Sequence, residues 1–137
     1  MSNHSEIQNV EIILREMLEI QQKSKRFINF LSEGEPLSQN QLILLLQLKF
    51  NGGMKATEIA DFFNLTPGAI TSMCDKLEKL NLVQRVRESE DRRVVKMVLT
   101  KNGDNNVREI FLKFSHEKLT DIKKVLIDVN KLMSTIF

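Results

Sequence analysis

The chain has 137 residues, of which 42% are hydrophobic and 28% charged, and a formal net charge of +2, which together predict one globular domain. Its longest apolar run, residues 42–46, is far shorter than the roughly 18 residues of a membrane span, so we expect no membrane partner. The single cysteine, Cys74, excludes an internal disulfide, and the N-terminus lacks a basic segment followed by an apolar one, so we expect a cytoplasmic protein.

The first third of the chain predicts two helices. Residues 6–31 carry apolar side chains at helical spacing, and a GEP segment breaks this pattern. Ser38 and Gln41 then have the spacing of a capping box. The helix that follows, LILLLQLKF, is apolar on nearly all sides and is expected to be the buried centre. Gly52 and Gly53 end it, because glycine adopts the left-handed conformation without steric cost.

A short strand and two helices are predicted next. Residues 54–56 leave room for one strand. Thr57 can cap a short helix that turns Ile59, Ala60 and Phe63 inward. Two helices, short then longer and joined by about three residues, have the pattern of a helix-turn-helix.

The second of these helices begins with Thr66 as N-cap and Pro67 at the first helical position. Its inward residues are expected to be Ile70, either Met73 or Cys74, Leu77 and Leu80. That choice leaves an outward face made of Gly68, Ala69, Thr71, Ser72, Asp75, Lys76 and Lys79.

A β hairpin is predicted after the helix-turn-helix. Residues 82–87 and 94–100 alternate with a period of two, and ESEDRR (88–93) is the loop between them. Residues 75–101 contain eight basic and five acidic residues, a local net charge of +3, whereas the rest of the chain sums to −1. Localised positive charge favours a nucleic-acid partner. A loop of mixed charges that only faces solvent stays open as the alternative.

Two closing helices complete the pattern: one capped by Thr100 and running to about Glu117, and a last one starting at Thr120. The predicted fold class is therefore mainly α with a small β hairpin (α+β).

A helix-turn-helix followed by a charged hairpin is a winged helix. Its second helix has the right size for the major groove, which is about 12 Å wide. The hairpin loop can reach the minor groove, whose negative potential attracts arginine. Asp91 can hold an arginine guanidinium in a fixed fork, which reduces the entropy lost on binding.

The run LTPGAITSMCDKLEKLNLVQRVRESEDRRVVKMVLTKNG (65–103) resembles the DNA-binding core of MarR-family transcriptional regulators. Its most specific part is DRR at 91–93, followed by LT at 99–100 and Gly103, with D-KLEK-NLV-R upstream (75–85). The resemblance implies a homodimer with interlocking terminal helices, a recognition helix in each major groove and a wing arginine in the minor groove. The family's Asp-x-Arg wing motif falls on Asp91 and Arg93, with Arg92 available for phosphate.

The resemblance also implies a division of the single MarR-like domain (1–137). Residues 38–100 are the winged helix-turn-helix lobe, and 1–33 and 101–137 are the dimerisation helices. The predicted DNA-binding residues are Thr66, Gly68, Ala69, Thr71, Ser72, Lys76, Arg92 and Arg93, with Asp91 orienting Arg93.

This sequence departs from the family pattern at two positions. The family often has a basic residue where Ser72 stands, so one contact is absent or is replaced by Lys76. It usually has glycine where Asn81 stands, although asparagine tolerates the left-handed conformation.

Other functions are less well supported. No nucleophile–base constellation or phosphate loop occurs, so we expect no enzyme and no cofactor. His4, His116 and Cys74 are widely separated, which argues against a metal site, and an inward Cys74 is expected to be core rather than a redox sensor.

We therefore expect a sequence-specific regulator of transcription, a ligand-responsive repressor that binds a palindromic operator as a homodimer. Nothing in the sequence identifies its small-molecule effector. The alternative is a winged-helix protein-interaction module that does not bind DNA.

Overall fold

The computed structural model describes residues 2–137, and Met1, where the predicted first dimerisation segment begins, lies outside the described residues. Within this range the elements are α1 (Ser2–Ser32), α2 (Gln39–Asn51), β1 (Met54–Lys55), α3 (Ala56–Phe63), α4 (Pro67–Lys79), β2 (Val83–Arg87), β3 (Val95–Leu99), α5 (Lys101–Phe111), a 3-10 helix (His116–Lys118) and α6 (Leu119–Ser134). The α+β class predicted from the sequence is confirmed. None of the helices in residues 2–137 is both long and apolar enough to cross a membrane.

The sheet is antiparallel with strand order β1-β3-β2. The predicted hairpin forms, with Val83 opposite Leu99 and Arg87 opposite Val95. The short strand β1 pairs on the other edge of β3, where Met54 lies opposite Met97. Local alternation predicted only a hairpin, and the pairing of β1 with β3 extends it to a three-stranded sheet.

The core lies where α2 meets the helix-turn-helix and the sheet. Leu44, Leu45 and Leu48 are almost fully buried, so the apolar second helix is the centre of the fold, as predicted. The main cluster comprises Leu37, Leu44, Leu45, Leu48, Met54, Ile59, Ile70, Cys74, Leu77, Val83, Met97 and Val107. A smaller cluster of Leu31, Leu42 and Ile110 joins α1, α2 and α5.

The predicted caps and turns are confirmed at several helix ends. Ser38 Oγ accepts from Gln41 N at 3.2 Å, and Gln41 Oε1 accepts from Ser38 N at 2.9 Å, forming the capping box. Gly52, at φ 70°, ends α2 in the left-handed region. Asn81 occupies the same region at φ 59°, so the turn after α4 is kept without glycine.

Some predicted boundaries are wrong. Helix α3 begins at Ala56 rather than after Thr57, because the Glu58 carboxylate accepts from Lys55 N at 2.9 Å and makes Lys55 the N-cap, two residues before the predicted one. The first helix begins at Ser2 rather than near residue 6, and the last begins at Leu119 rather than Thr120.

The fifth helix is shorter than predicted, ending at Phe111 instead of near Glu117. At its end, Lys113 N bonds to Ile110 O and Phe114 N to Phe111 O, the three-residue spacing of a tightened last turn. The Phe114 ring lies against two aromatic rings of α1. We attribute the early end of α5 to this contact, which draws the chain towards α1.

The predicted burial of Leu80 is also wrong, because its side chain is 55% exposed. Helix α4 ends at Lys79, and the chain turns at once through the left-handed Asn81. Leu80 therefore leaves the buried row that Ile70, Cys74 and Leu77 form.

Candidate nucleic-acid interface

Helix α4 presents a polar, small-residue face to solvent because its opposite face is anchored in the core. Ile70, Cys74 and Leu77 are buried, which fixes the rotation of the helix about its axis. Of the two inward alternatives, Cys74 is buried and Met73 is half-buried. The residues exposed on α4 and its N-cap are Thr66, Pro67, Gly68, Ala69, Thr71, Ser72, Lys76 and Lys79. Asp75, also predicted to face outward, is half-buried.

The first turn of α4 is closed by its own side chains. Thr66 Oγ1 accepts from Ala69 N at 3.2 Å, and Thr71 Oγ1 donates to Pro67 O at 3.0 Å. These bonds use the Thr66 hydroxyl as an acceptor and the Thr71 hydroxyl as a donor, so the Thr66 O–H and the Thr71 lone pairs remain for a partner. The side chains of Gly68, Ala69 and Ser72 are small enough for a partner to approach the helix backbone closely.

Asp91 and Arg93 form a fork at the tip of the hairpin, the feature that we call the wing fork. Arg93 Nε donates to Asp91 Oδ1 at 3.1 Å and Arg93 Nη2 donates to Oδ2 at 3.2 Å. Arg93 N also donates to Asp91 Oδ1 at 3.1 Å. The hydrogen bond from the Arg93 side chain, followed by that from its backbone, lowers the pKa of the Asp91 carboxyl.

The Arg93 side chain nevertheless stays 92% exposed. Its guanidinium is therefore oriented by the protein but not covered by it. Such an arginine keeps its charge and outward donors for an anionic partner.

The rest of the loop is braced by further polar contacts. Arg87 Nη1 donates to Arg92 O at 2.7 Å, and Lys96 Nζ pairs with Glu88 Oε1 at 2.7 Å. The backbone closes with Glu88 N bonded to Val94 O at 3.0 Å. Charged side chains of the flanking strands, Arg87 and Lys96, thus brace the loop by contacts with Arg92 and Glu88. Across residues 2–137, the Arg92 guanidinium has no protein partner and is exposed.

Arg85 of β2 belongs to the D-KLEK-NLV-R pattern, but the sequence interpretation assigned it no role at this surface. Its Nη2 donates to Asp75 Oδ1 at 2.8 Å and its Nη1 donates to Glu78 Oε2 at 2.6 Å. The hydrogen bond to Asp75 raises the pKa of Arg85. Two signals could have indicated it: an arginine on the inward face of a strand, and carboxylates three residues apart on a helix.

Other candidate residues are not brought together. His4 lies in α1, His116 in the 3-10 helix and Cys74 in α4. In the part of the chain that the structure describes, no group of three or more metal-ligating side chains occurs. Burial raises the pKa of the Cys74 thiol, which disfavours the reactive thiolate.

Comparison with known proteins gives a consistent result. A sequence model described as the MarR family matches residues 37–95. The HTH-type transcriptional repressor MdtR of Bacillus subtilis is 38% identical over 78 residues, which are 57% of this chain and 50% of that protein. The chain thus spans about half the length of this curated relative.

Solved structures share the fold over nearly the whole chain. A MepR-like protein, crystallised with pseudoligands, is 30% identical with a TM-score of 0.54, covering 92% of this chain and 94% of that one. A MarR family protein of Bacillus stearothermophilus has a TM-score of 0.71 at 21% identity, covering 93% and 96%, which shows a shared fold.

Proposed function

Because this chain belongs to the MarR family, we propose that it regulates transcription by binding a specific double-stranded DNA site as a homodimer. Repression is the proposed direction, since the relative MdtR carries the name of a repressor. The proposed DNA-binding lobe is 38–100, and the proposed dimerisation segments are 1–33 and 101–137. No catalytic activity is part of the proposal, since the family and its curated relatives are regulators.

The wing fork is the observation that carries the proposal. A guanidinium fixed by two side-chain hydrogen bonds, yet 92% exposed, loses little conformational entropy when it enters a groove. The narrow minor groove attracts arginine by its negative potential. Arg92 beside it is proposed to contact phosphate.

Helix α4 is proposed to enter the major groove. The exposed face of its first two turns carries small side chains, so base edges can approach Thr71 and Ser72 closely. Lys76 lies further along the same exposed face and is proposed to contact phosphate, in place of the basic residue that relatives often have at the position of Ser72.

The homodimer is supported by apolar surface that one chain does not cover. No side chain of α6 is buried within the described residues. Exposed apolar residues on α1 and α6 include Ile7, Val10, Ile13, Leu14, Leu18, Ile122, Val125, Leu126, Val129 and Leu132. Exposed apolar area on this scale marks an interface, and two-fold symmetry predicts a near-palindromic DNA site.

An effector site is proposed in the hollow between α1 and the start of α6. Its volume is about 380 Å³, and it is lined by Phe27, Phe30, Phe114, Ser115, Glu117, Lys118, Leu119 and Ile122. The Phe114 ring centroid lies 5.9 Å from that of Phe27 and 6.0 Å from that of Phe30. The aromatic wall and the Lys118 ammonium suit a small aromatic carboxylate.

A benzoate panel tests this effector site. Binding is expected to raise the thermal midpoint and to weaken duplex binding, because a ligand that favours one conformation shifts the population towards it. Phe114→Leu should reduce both effects, while Phe62→Leu, which alters an exposed ring outside the hollow, should leave them intact. Equal responses in the two variants would contradict this site.

DNA binding is tested by selecting duplexes from a random pool and titrating the best of them at several salt concentrations. Specific binding that weakens steeply with salt is expected, since phosphate contacts release counterions. A selected site with two-fold symmetry and half-sites roughly 10 bp apart would support the dimer. Failure to bind any duplex, even at low salt, would favour the protein-interaction alternative. The proposal also includes a cytoplasmic location, since the relative MdtR comes from a bacterium, Bacillus subtilis, in which DNA lies in the cytoplasm.

A further inference from the structure

Arg85 stands at an unusual place for a charged residue. In the hairpin register it lies opposite Met97, whose side chain is buried. Directly opposed residues of an antiparallel pair point to the same face of the sheet. Arg85 therefore lies on the face of the sheet that carries the core, at its edge, where its side chain stays 40% exposed. The alternation that begins with the buried Val83 would place an apolar side chain at this position.

Its guanidinium is held there by two carboxylates of one helix. Asp75 and Glu78 are three residues apart on α4 and so are neighbours on the helix surface. They accept from different Arg85 nitrogens, at 2.8 Å and 2.6 Å. A planar guanidinium with several donors in fixed directions can bridge two carboxylates in this way, whereas a lysine ammonium is a single point of charge.

These contacts join the two parts of the proposed DNA-binding surface. Asp75 and Glu78 belong to α4, and Arg85 is two residues before the last residue of β2, where the wing loop begins. The bridge also places the Arg85 guanidinium between the carboxylates of Asp75 and Glu78. Without it, α4 would bring two unpaired negative charges towards the DNA phosphates. The link between α4 and β2 and the offset of negative charge would both influence DNA binding without contact between Arg85 and the duplex.

We propose that Arg85 is a positioning residue for DNA recognition: by bridging Asp75 and Glu78 it locks the angle between α4 and the wing and offsets one of the two negative charges. This inference rests on the proposed DNA-binding function. Locking favours only the arrangement in which the helix and the wing fork reach their grooves together. Arg85 therefore affects binding to the specific site far more than binding to random duplex, which needs only positive charge.

The experiment compares the unsubstituted chain with Arg85→Ala, Arg85→Lys, the Asp75→Asn/Glu78→Gln double variant and the triple variant Asp75→Asn/Glu78→Gln/Arg85→Ala. Each is titrated with the selected duplex and with a random duplex at several salt concentrations. Arg108→Ala is the matched control, because it also removes one arginine from an exposed ion pair, with Asp104 at 3.3 Å, outside the wing and α4.

Arg85→Ala is expected to weaken specific binding at least about tenfold, a usual size for coupled neighbours. Binding to random duplex and the slope of affinity against salt should change little. Arg85→Lys should recover only part of the loss, because it restores charge without the two-carboxylate bridge. The triple variant should bind more tightly than Arg85→Ala, because it no longer presents unpaired carboxylates.

Two results would overturn the inference. One is a salt slope reduced by about one in Arg85→Ala together with an equally weak triple variant, which would make Arg85 a phosphate contact. The other is specific affinity equal to that of the unsubstituted chain. If Arg85→Ala has no cooperative thermal transition, Arg85→Lys is used in its place to compare specific binding with binding to random duplex. Absence of duplex binding by the unsubstituted chain would instead overturn the proposed function, and this inference with it.

Discussion

At the wing tip, one carboxylate organises both the backbone and the side chain of a neighbouring arginine. Asp91 accepts from Arg93 N, Nε and Nη2 within a span of three residues. A simple charge count would treat Asp91 as a liability beside DNA. The geometry predicts the opposite for the proposed DNA site, because Asp91 orients the arginine that is proposed to enter the groove.

The two members of the wing fork should therefore not act independently. Arg93→Ala is expected to weaken specific duplex binding by about 1–3 kcal/mol per half-site, the usual worth of a good groove contact. Asp91→Ala should also weaken it, although loss of a negative charge alone would strengthen it. The double variant should lose less than the sum. The measurement is titration of the unsubstituted chain, the two single variants and the double variant at one salt concentration. If Asp91→Ala binds more tightly and the two effects simply add in the double variant, the wing is only a charged loop.

The same fork predicts how Asp91 titrates. Arg93 lowers the pKa of Asp91, so the contribution of the pair is present at neutral pH and is lost only as pH falls through that lowered pKa, below the usual carboxyl value of about 3.9. NMR titration of the Asp91 carboxyl should show the pKa rising towards its ordinary value in Arg93→Ala. An unchanged pKa in that variant would mean that the fork is absent in solution.

Cys74 is expected to act through packing alone. It is 3% exposed and belongs to the main core cluster. Cys74→Ser should cost about 1–3 kcal/mol in the free energy of unfolding, because a hydroxyl is buried there. Cys74→Ala is the control that keeps the site apolar and should cost less. Thermal unfolding measures both. Peroxide-driven release from DNA that disappears in Cys74→Ser would contradict a purely structural thiol.

Between elements, the end of α5 is tied to the end of α1 by one ammonium group. Lys113 Nζ donates to Leu31 O at 2.9 Å and to Glu33 O at 3.0 Å, and it pairs with Glu35 Oε1 at 2.9 Å. Free carbonyls at a helix C-terminus favour a cation. This contact connects the two proposed dimerisation segments, 1–33 and 101–137, to each other.

Lys113→Met should lower the free energy of unfolding by about 1–3 kcal/mol, because it leaves Glu35 without its partner and the carbonyls without a donor. The Lys113 and Glu35 side chains are only 24% and 16% exposed, so solvent replaces the lost bonds poorly. Lys101→Met, at an exposed position, is the control and should change stability little. Denaturant unfolding compares the two, and equal values would show that the tie contributes nothing to stability.

For the whole molecule, the stability of the chain should depend on a second copy. Truncation after Lys118 removes α6 and is expected to cause aggregation or unfolding, because α1 then keeps its apolar surface without the helix proposed to cover it. Light scattering and circular dichroism of the truncated chain are the measurements. A stable, soluble monomer would refute the proposed dimer.

Local sequence patterns determined the elements whose causes are local. Helical spacing, the capping box of Ser38 and Gln41, the Thr66-Pro67 start of α4 and the alternation of the hairpin depend on residues within a few positions of one another. These predictions are confirmed. The DRR motif likewise indicated the family, which the comparisons established, while the roles of the individual DNA-binding residues stay predictions.

Tertiary structure decided what depends on distant partners. The pairing of β1 with β3 joins residues more than forty positions apart, and the end of α5 coincides with the contact of Phe114 with α1. Gly103 is needed because a Cβ atom there would overlap the backbone oxygen of Leu82. The bridges of Arg85 and Lys113 have the same origin: a charged residue shows its type in the sequence, but only the packing of the elements chooses which oxygens lie within its reach.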